Sequence, residues 1–409
     1  MKKEKKLLAF LCGTAVLFGS LQAADTVPET EKPDHECTSW MVFPDLTKNN
    51  TLFLHKNRDS SIKTIAVFSG EEKKAEKAEK GFWEKLFSSS DNEGKVLKRK
   101  WVGSGNMTNG RFWVCMGMNT SGLAGVMNSG EKCTENNTDK TKKDSSEVLQ
   151  DVLETCDTAK EAVARLKVLL KAGDYYHGVK GSIFFFLDTN EGYVCEITAK
   201  YCSAVRYDNG YTFRANIWHN PGLAQRSDNT LAAFINSSVR EYVTLTFLNQ
   251  ALRKNGKITV ADSLALARNI EVPADSPNPR SVCSKFTNAS STLVIDREFP
   301  AVLSTGYHTI GQPRHGICVP FPICIEKIDS KIVDLTWSRS VWKRFGKLGV
   351  AAPIPEAWLA FEKKSHAEYG KCIEKARLLL REGKKVEAVK LLNDKTAAIC
   401  KEAAKLMGI

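Results

Sequence analysis

Between residues 182 and 215 the chain reverses direction three times, and this constrains its fold more than any other feature. Four short apolar runs, 182–187, 192–198, 203–207 and 211–215, are separated by turn-forming sequence. Asp188-Thr189-Asn190-Glu191-Gly192 and Asp208-Asn209-Gly210 carry the Asp, Asn and Gly that tight turns require. Links this short join antiparallel neighbours, because a parallel return needs a crossover of about a dozen residues or more. The segment therefore reads as an antiparallel meander.

The rest of the chain alternates strand pairs with helix pairs. Residues 40–43 and 51–55 read as a hairpin around Lys48-Asn49-Asn50, and residues 64–68 as a third strand. Strand signal returns at 112–116 and 122–127, followed by helices over 146–155 and 159–172. Thr158 with Glu161 forms a capping box for the second helix, and Gly173 closes it. Helices are expected at 236–252 and 260–269, and strands at 292–295 and 301–304. From residue 355 the pattern is helical, in pieces over 371–381 and 385–393 joined at Glu382-Gly383-Lys384, with a last helix to Leu406. Periodicity alone gives an α+β chain.

Lys2, Lys3, Lys5 and Lys6 precede an apolar stretch over residues 7–21, with Ala23 and Ala24 at a cleavage position. This is the pattern of a secretory signal peptide, 1–23, followed by a polar pro-segment, 24–36. The apolar stretch is short for a membrane span, and no later segment supplies one, so no stable span is expected after processing. Residues 70–100 turn rich in Lys, Glu and Ser around Phe82-Trp83-Glu84-Lys85-Leu86-Phe87, an insertion carrying a short helix, as a surface elaboration or a lid. The main domain then runs over 37–350, with a helical extension over 355–409. The formal charge is +12, and removing residues 1–36 takes away five bases and six acids to leave +13. Lys is mostly interleaved with Glu, and no basic stripe carries interleaved aromatics, so nucleic acid is not an expected partner. Of the 12 cysteines, Cys318 with Cys324 and Cys372 with Cys400 are the local pairs an exported chain would bridge, with buried free thiols as the alternative. No Cys/His cluster has zinc-ligand spacing, and neither a metal nor a cofactor is expected.

Cys37 heads Cys37-Thr38-Ser39-Trp40, directly after the pro-segment. A cysteine that becomes the first residue of a mature chain combines a thiol nucleophile with an α-amine whose ordinary pKa lies near 8. Lys56-Asn57-Arg58-Asp59-Ser60 follows, then Gly117-Met118-Asn119-Thr120-Ser121-Gly122-Leu123 with Asn128, Arg214-Ala215-Asn216, Ser237-Ser238-Val239-Arg240, and Thr292-Leu293-Val294-Ile295 with Gly311-Gln312-Pro313. This ordered set resembles the N-terminal-nucleophile hydrolases, in the branch of penicillin V acylase, bile salt hydrolase, the penicillin acyltransferases and related dipeptidases. Lys56 departs from that pattern where several branches have Arg, keeping the charge and losing the planar fork. Arg58 is one residue away, on the opposite face of a strand from Asp59.

The resemblance implies a four-layer α-β-β-α sandwich and an amide-cleaving activity. It implies that Cys37 is the nucleophile, that Asp59 holds its α-amine, that Asn128 contributes an oxyanion donor, and that Asn216 and Arg240 complete the polar wall of the site. An oxyanion donor is worth on the order of 3 kcal/mol in such chemistry. It further implies release of Cys37 by cleavage of the Glu36-Cys37 bond, a small-molecule amide as substrate and a thioester intermediate. A dipeptidase, an acyltransferase and a catalytically inactive binding protein on the same scaffold are the alternatives. The helical extension is the surface through which a homo-oligomer would form. Read without the resemblance, Asn119 and Gly122 form a tight turn, Asn128 is a loop asparagine, Asn216 caps a strand end, and Arg240 is an exposed helix residue.

Overall fold

The structure is a computed structural model and describes residues 36–48, 51–70, 98–133, 135, 137–276 and 280–409. The chain divides after Asp34, and everything described belongs to the second unit, His35–Ile409. The signal-peptide reading, nearly all of the pro-segment and the core of the insertion lie outside the described residues.

Two antiparallel sheets face each other. The first holds six strands in the order β10-β1-β2-β11-β12-β13: β1 Cys37–Val42, β2 Leu52–Asp59, β10 Tyr211–Arg214, β11 Thr287–Ile295, β12 Thr305–Ile310 and β13 Cys318–Pro322. The second runs in sequence order from β3 to β9: β3 Ile65–Gly70, β4 Trp101–Thr108, β5 Arg111–Asn119, β6 Ala124–Lys132, β7 Lys180–Leu187, β8 Gly192–Ile197 and β9 Cys202–Tyr207. Strand alternation sorts each side chain to one face. Along β7, Ile183, Phe185 and Leu187 point between the sheets, where they join Met41, Leu54, Val126 and Leu293. Phe184 and Phe186 point outward.

Helices cover both outer faces. Over the second sheet lie α1 Ser145–Thr155 and α2 Ala159–Lys171, whose Val148, Val152, Leu166 and Leu169 bury Phe184 and Phe186. Asp144 and Thr158 begin these helices with complete capping boxes. After α3 Pro221–Ala224 the first sheet is covered by α4 Leu231–Asn255, which starts a turn earlier than its apolar pattern indicates because Thr230 caps it, and by α5 Val260–Ala267. Val239, Val243 and Leu248 pack there against Trp40, Val42 and Phe53. The result is a four-layer α-β-β-α sandwich.

The remaining helices are α6 Pro300–Leu303, α7 Ser330–Val333, α8 Thr336–Leu348, α9 Glu356–Arg381 and α10 Lys385–Met407. Residues 301–304, expected as a strand, are instead mostly α6, because Pro300 presets its first turn, and the strand β12 begins at Thr305. The C-terminal extension is a hairpin of two long helices without further breaks, and Trp358, Tyr369, Leu392 and Ile399 share the core of the two sheets with Tyr307 and Phe321. No described helix is long and apolar enough to cross a membrane.

The two expected disulfides do not form, since Cys318, Cys324, Cys372 and Cys400 are all free thiols. Cys318 opens β13 and Cys324 lies beyond its end, so extended chain holds the first pair well outside bridging distance.

Candidate active site

Cys37 is the first residue of β1, and β2 pairs with it so that Cys37 stands opposite Arg58 and Ser39 opposite Lys56. Residues directly opposite on paired strands share a face. Cys37, Ser39, Lys56 and Arg58 therefore all point inward, toward the second sheet, while Thr38, Trp40, His55, Asn57 and Asp59 point outward, toward α4 and α5. All of these side chains are buried.

On the inner face, Asn128 of β6 reaches across the sandwich. Its Oδ1 accepts from Ser39 Oγ at 2.8 Å and from Lys56 Nζ at 2.9 Å. Its Nδ2 donates to the carbonyls of Ala215 at 3.0 Å and Arg214 at 3.2 Å. Lys56 Nζ also donates to the carbonyl of Met127. Asn128 thus uses both its oxygen and its nitrogen within the protein. It pins the end of β10 to β1, β2 and β6. Arg58 Nη1 donates to Asn106 Oδ1 at 2.8 Å and to Asn288 Oδ1 at 3.1 Å.

The backbone of Cys37 is held from the other side. Its N–H donates to Asn216 Oδ1 at 2.8 Å, and Asn216 Nδ2 donates to the carbonyl of Ser129 at 2.7 Å. Arg240, from α4, is buried and uses all five N–H groups. Nε donates to Asn236, Nη1 to the Cys37 carbonyl and Thr38 Oγ1, and Nη2 to Asn216 Oδ1 and Ser237 Oγ. Its exposed-residue reading is excluded. Both backbone polar groups of Cys37 are thereby fixed by side chains from β10's outgoing loop and from α4.

Asp59 lies one position beyond Arg58, where the register carried past β1 reaches Glu36. Its Oδ2 accepts from Ser284 Oγ at 3.0 Å, Oδ1 meets no hydrogen-bond donor within bonding geometry among the described residues, and the Thr287 side chain bears on the same carboxylate. Burial pushes its carboxyl up to about 6, against the opposing pull of the Arg240 guanidinium and with a further push from the Glu36 carboxylate. Glu36 is paired with Arg280 at 2.9 Å. A half-satisfied carboxylate beside Glu36 and Arg240 is thus placed next to the Glu36–Cys37 peptide.

The loop that carries Asn216 is tied down by three carboxylates that motif reading passes over. Glu196 accepts from Arg214 Nε at 2.8 Å and from the N–H groups of His219 and Asn220. Glu241 accepts from Ala215 N at 2.8 Å and meets His219 Nε2 at 2.8 Å. Glu131 accepts from Trp218 N. The Trp218 indole packs against Gly130 and Gly181, where a Cβ at 181 would come within 2.4 Å of the ring. His219 belongs to this strap, and His55 is buried against Trp40 with ring centroids 3.9 Å apart and its pKa lowered to about 3 by burial. Neither histidine addresses Cys37. Asn119 is a turn lock, its Oδ1 accepting from the N–H groups of Ser121 and Leu123.

The five residues singled out from the sequence, Cys37, Asp59, Asn128, Asn216 and Arg240, thus gather around the start of β1, with Lys56 and Arg58 beside them. A two-sheet sandwich with a cysteine at the head of a central strand, its N–H and C=O both held by side chains, is the class of architecture that fold and site define. No family model matches the sequence, and no curated protein sequence matches it. Among solved structures the chain is similar to penicillin V acylase from Agrobacterium tumefaciens, at 16% identity and a TM-score of 0.43, over 70% of this chain and 85% of that one. It is also similar to a conjugated bile acid hydrolase from Clostridium perfringens in two variant structures, at 13% and 12% identity with TM-scores of 0.41 and 0.43, each over 70% of this chain and 92% of the other.

Proposed function

We propose that this chain is an exported cysteine amide hydrolase of the acylase type, working in the periplasm or outside the cell, with Cys37 as its nucleophile. The observation that carries this reading is the double grip on Cys37, whose N–H is held by Asn216 and whose carbonyl is held by Arg240. A residue fixed at both backbone groups presents its thiol in one place, which is what nucleophilic catalysis requires.

In the proposed maturation the Cys37 thiol attacks the Glu36 carbonyl carbon. The C–N bond breaks, the thiol proton passes to the departing nitrogen, and a thioester links Glu36 to Cys37 Sγ. Water hydrolyses that thioester, giving a Glu36 carboxylate, a free thiol and a free Cys37 α-amine. The ammonium form of that amine adds a second positive charge beside Asp59, next to the Arg240 guanidinium. In turnover the neutral amine takes the thiol proton and the thiolate adds to the substrate amide carbonyl. The oxyanion develops in the positive field of Lys56, collapse expels the amine with a proton, and water hydrolyses the resulting thioester. Asn128, Asn216 and Arg240 act here as positioning residues. The chemistry calls for no cofactor.

Dipeptidase action and acyl transfer to an amine are variants of this chemistry that differ in what the pocket admits. The test is the intact mass of exported protein compared with its Cys37→Ala variant, followed by an amide-cleavage screen. A wild-type chain beginning at Cys37, with the variant retaining residues before it, is expected. Identical N-termini upstream of Cys37 would exclude the α-amine mechanism and favour a binding protein on this scaffold.

A further inference from the structure

Between α5 and α9 an open cavity of about 1140 Å3 runs over the outer face of the first sheet. Its floor is a cross-strand patch of Phe53, Val294 and Tyr307, which β2, β11 and β12 bring side by side. Val260 of α5 lines one wall, and Ala367, Gly370 and Ile373 of α9 line the other. Along α9 the lining runs from Ala367 to Arg381, about 20 Å at the rise of a helix. The cavity lies at the end of β2 remote from Cys37, since Phe53 and Asp59 are about 20 Å apart along the extended strand.

Two of these residues have no role in the packing of the chain itself. Gly370 sits inside α9, where glycine weakens a helix, and a Cβ there would meet nothing within 4 Å. The glycine therefore permits no close approach within the protein, and what it does is keep the cavity open. Tyr307 is 8% exposed, yet its hydroxyl makes no hydrogen bond to any described residue. Burying a hydroxyl without a partner is costly, and a ligand that accepts from it removes that cost. Burial also keeps the phenol protonated, so it is available as a donor. At the mouth, the exposed Lys371 makes no ion pair among the described residues, whereas Arg377 and Arg381 beside it are answered by Asp296 and Glu298.

We propose that this cavity binds a single-chain aliphatic carboxylate, a free fatty acid, with its alkyl chain along Phe53, Val294 and Ile373 and its carboxylate received by the Tyr307 hydroxyl and the Lys371 ammonium. The apolar floor gives a compact hydrophilic anion nothing to hold. A long groove favours a long chain, because each buried methylene adds to affinity. The unpaired ammonium and the phenolic donor favour an anionic head over a cationic one. Cys37 takes no part, so this binding is independent of the amide-hydrolase reading.

The test is titration calorimetry on the wild-type chain, freed of bound lipid, with tetradecanoate, octanoate and the tetradecyltrimethylammonium cation, each below its micelle concentration. One tetradecanoate per chain is expected, bound about 10-fold or more tighter than either of the other two. Gly370→Leu fills the cavity from a position with room for the side chain, and should weaken tetradecanoate about 10-fold or more with the melting temperature kept or raised. Tyr307→Phe removes only the hydroxyl and should weaken it about 10-fold. Absence of binding to the wild type, equal binding of the anion and the cation, or undiminished binding to either variant overturns the proposal. A dimer that dissociates in Gly370→Leu, with no tetradecanoate bound by the wild type, gives the cavity to a second copy of the chain instead. Cys37→Ala should bind tetradecanoate as the wild type does whatever the amide screen returns, so failure of one reading leaves the other standing.

Discussion

Asn216 Oδ1 is shared between the Cys37 N–H, at 2.8 Å, and Arg240 Nη2, at 2.9 Å. One amide oxygen thus couples the position of the cysteine to the position of a buried guanidinium on α4. The same guanidinium holds the Cys37 carbonyl, so the two residues control the first peptide unit of β1 together.

Arg240→Met removes five donors at once and leaves Asn236, Cys37, Thr38, Asn216 and Ser237 each short of one hydrogen bond. Stranding buried acceptors costs about 1–3 kcal/mol for each group that water cannot reach, so a total loss on the order of 3 kcal/mol or more is expected in denaturant unfolding. Arg240→Lys keeps the charge and loses the fork, and should retain part of the stability but release Cys37 more slowly. Equal unfolding midpoints for wild type and Arg240→Met would contradict the assigned network.

Asp59 makes stability depend on pH in the uncleaved chain. Its folded carboxyl titrates at about 6, above its ordinary value of 3.8, so the folded state binds more protons between those values. The stabilising contribution is complete below pH 3.8, declines as pH rises and is gone above about 6, a change of about 3 kcal/mol. In Cys37→Ala, unfolding measured from pH 4 to 8 should show this decline, and adding Asp59→Asn should remove it. If maturation proceeds as proposed, a chain beginning at Cys37 brings its α-ammonium to Asp59 and should be stabilised relative to Cys37→Ala increasingly toward neutral pH. Parallel curves for the single and double variants would show that Asp59 is not the titrating group.

Lys56 offers a separation of stability from activity. Its ammonium is fully buried and bonded to two neutral oxygens, and Ser39 still holds Asn128 when it is removed. Replacing a buried charge by an apolar side chain of similar length is often neutral or stabilising. Lys56→Met should therefore keep or raise the melting temperature while lowering kcat on the order of 10²-fold, through loss of the field at the developing oxyanion. A variant with unchanged kcat would leave Lys56 a structural role only.

Most elements are legible in the sequence because their burial is periodic. The meander from β7 to β10 shows alternation, and α2 carries its own capping box and closing glycine. β4 shows neither signal. Gly103 and Gly105 interrupt its pattern, and in the structure they lie at a bulge where a Cβ at 105 would come within 2.0 Å of the Trp113 carbonyl oxygen. The site residues are legible as a set through motif spacing, although only Cys37, Asp59 and Asn216 fall at element ends, while Asn128 lies within β6 and Arg240 within α4. What holds them is not legible. Glu196 and Glu241 matter only because β8 and α4 bring them to one loop, and Arg58 is held by Asn106 and Asn288, which lie far from it in the sequence. Which partners a side chain meets is a property of three dimensions, and the bonds of Asn128 to Ser39, Lys56, Arg214 and Ala215 could not be read from the sequence.

Residues 355–409 form the C-terminal helical segment that the sequence indicates, and its Trp358, Tyr369, Leu392 and Ile399 pack into the main core. Arg268, at the end of α5, donates to Glu362 of α9 with both Nη atoms, at 2.6 and 2.7 Å, and both side chains are buried. Glu362 also accepts the N–H of Cys318 at the start of β13. On the outer face of β12, Tyr307 packs edge-on against His366 and Tyr369 of α9, with ring centroids 5.1 and 6.4 Å away. Losing one member of a buried ion pair costs about 3–5 kcal/mol, and Glu362→Gln should approach that loss in denaturant unfolding. Truncation after residue 354 adds the exposure of the apolar face of β12 and β13 and should give an insoluble or unfolded chain. A soluble 37–354 protein with a cooperative unfolding transition would show that the helical hairpin is a separable module.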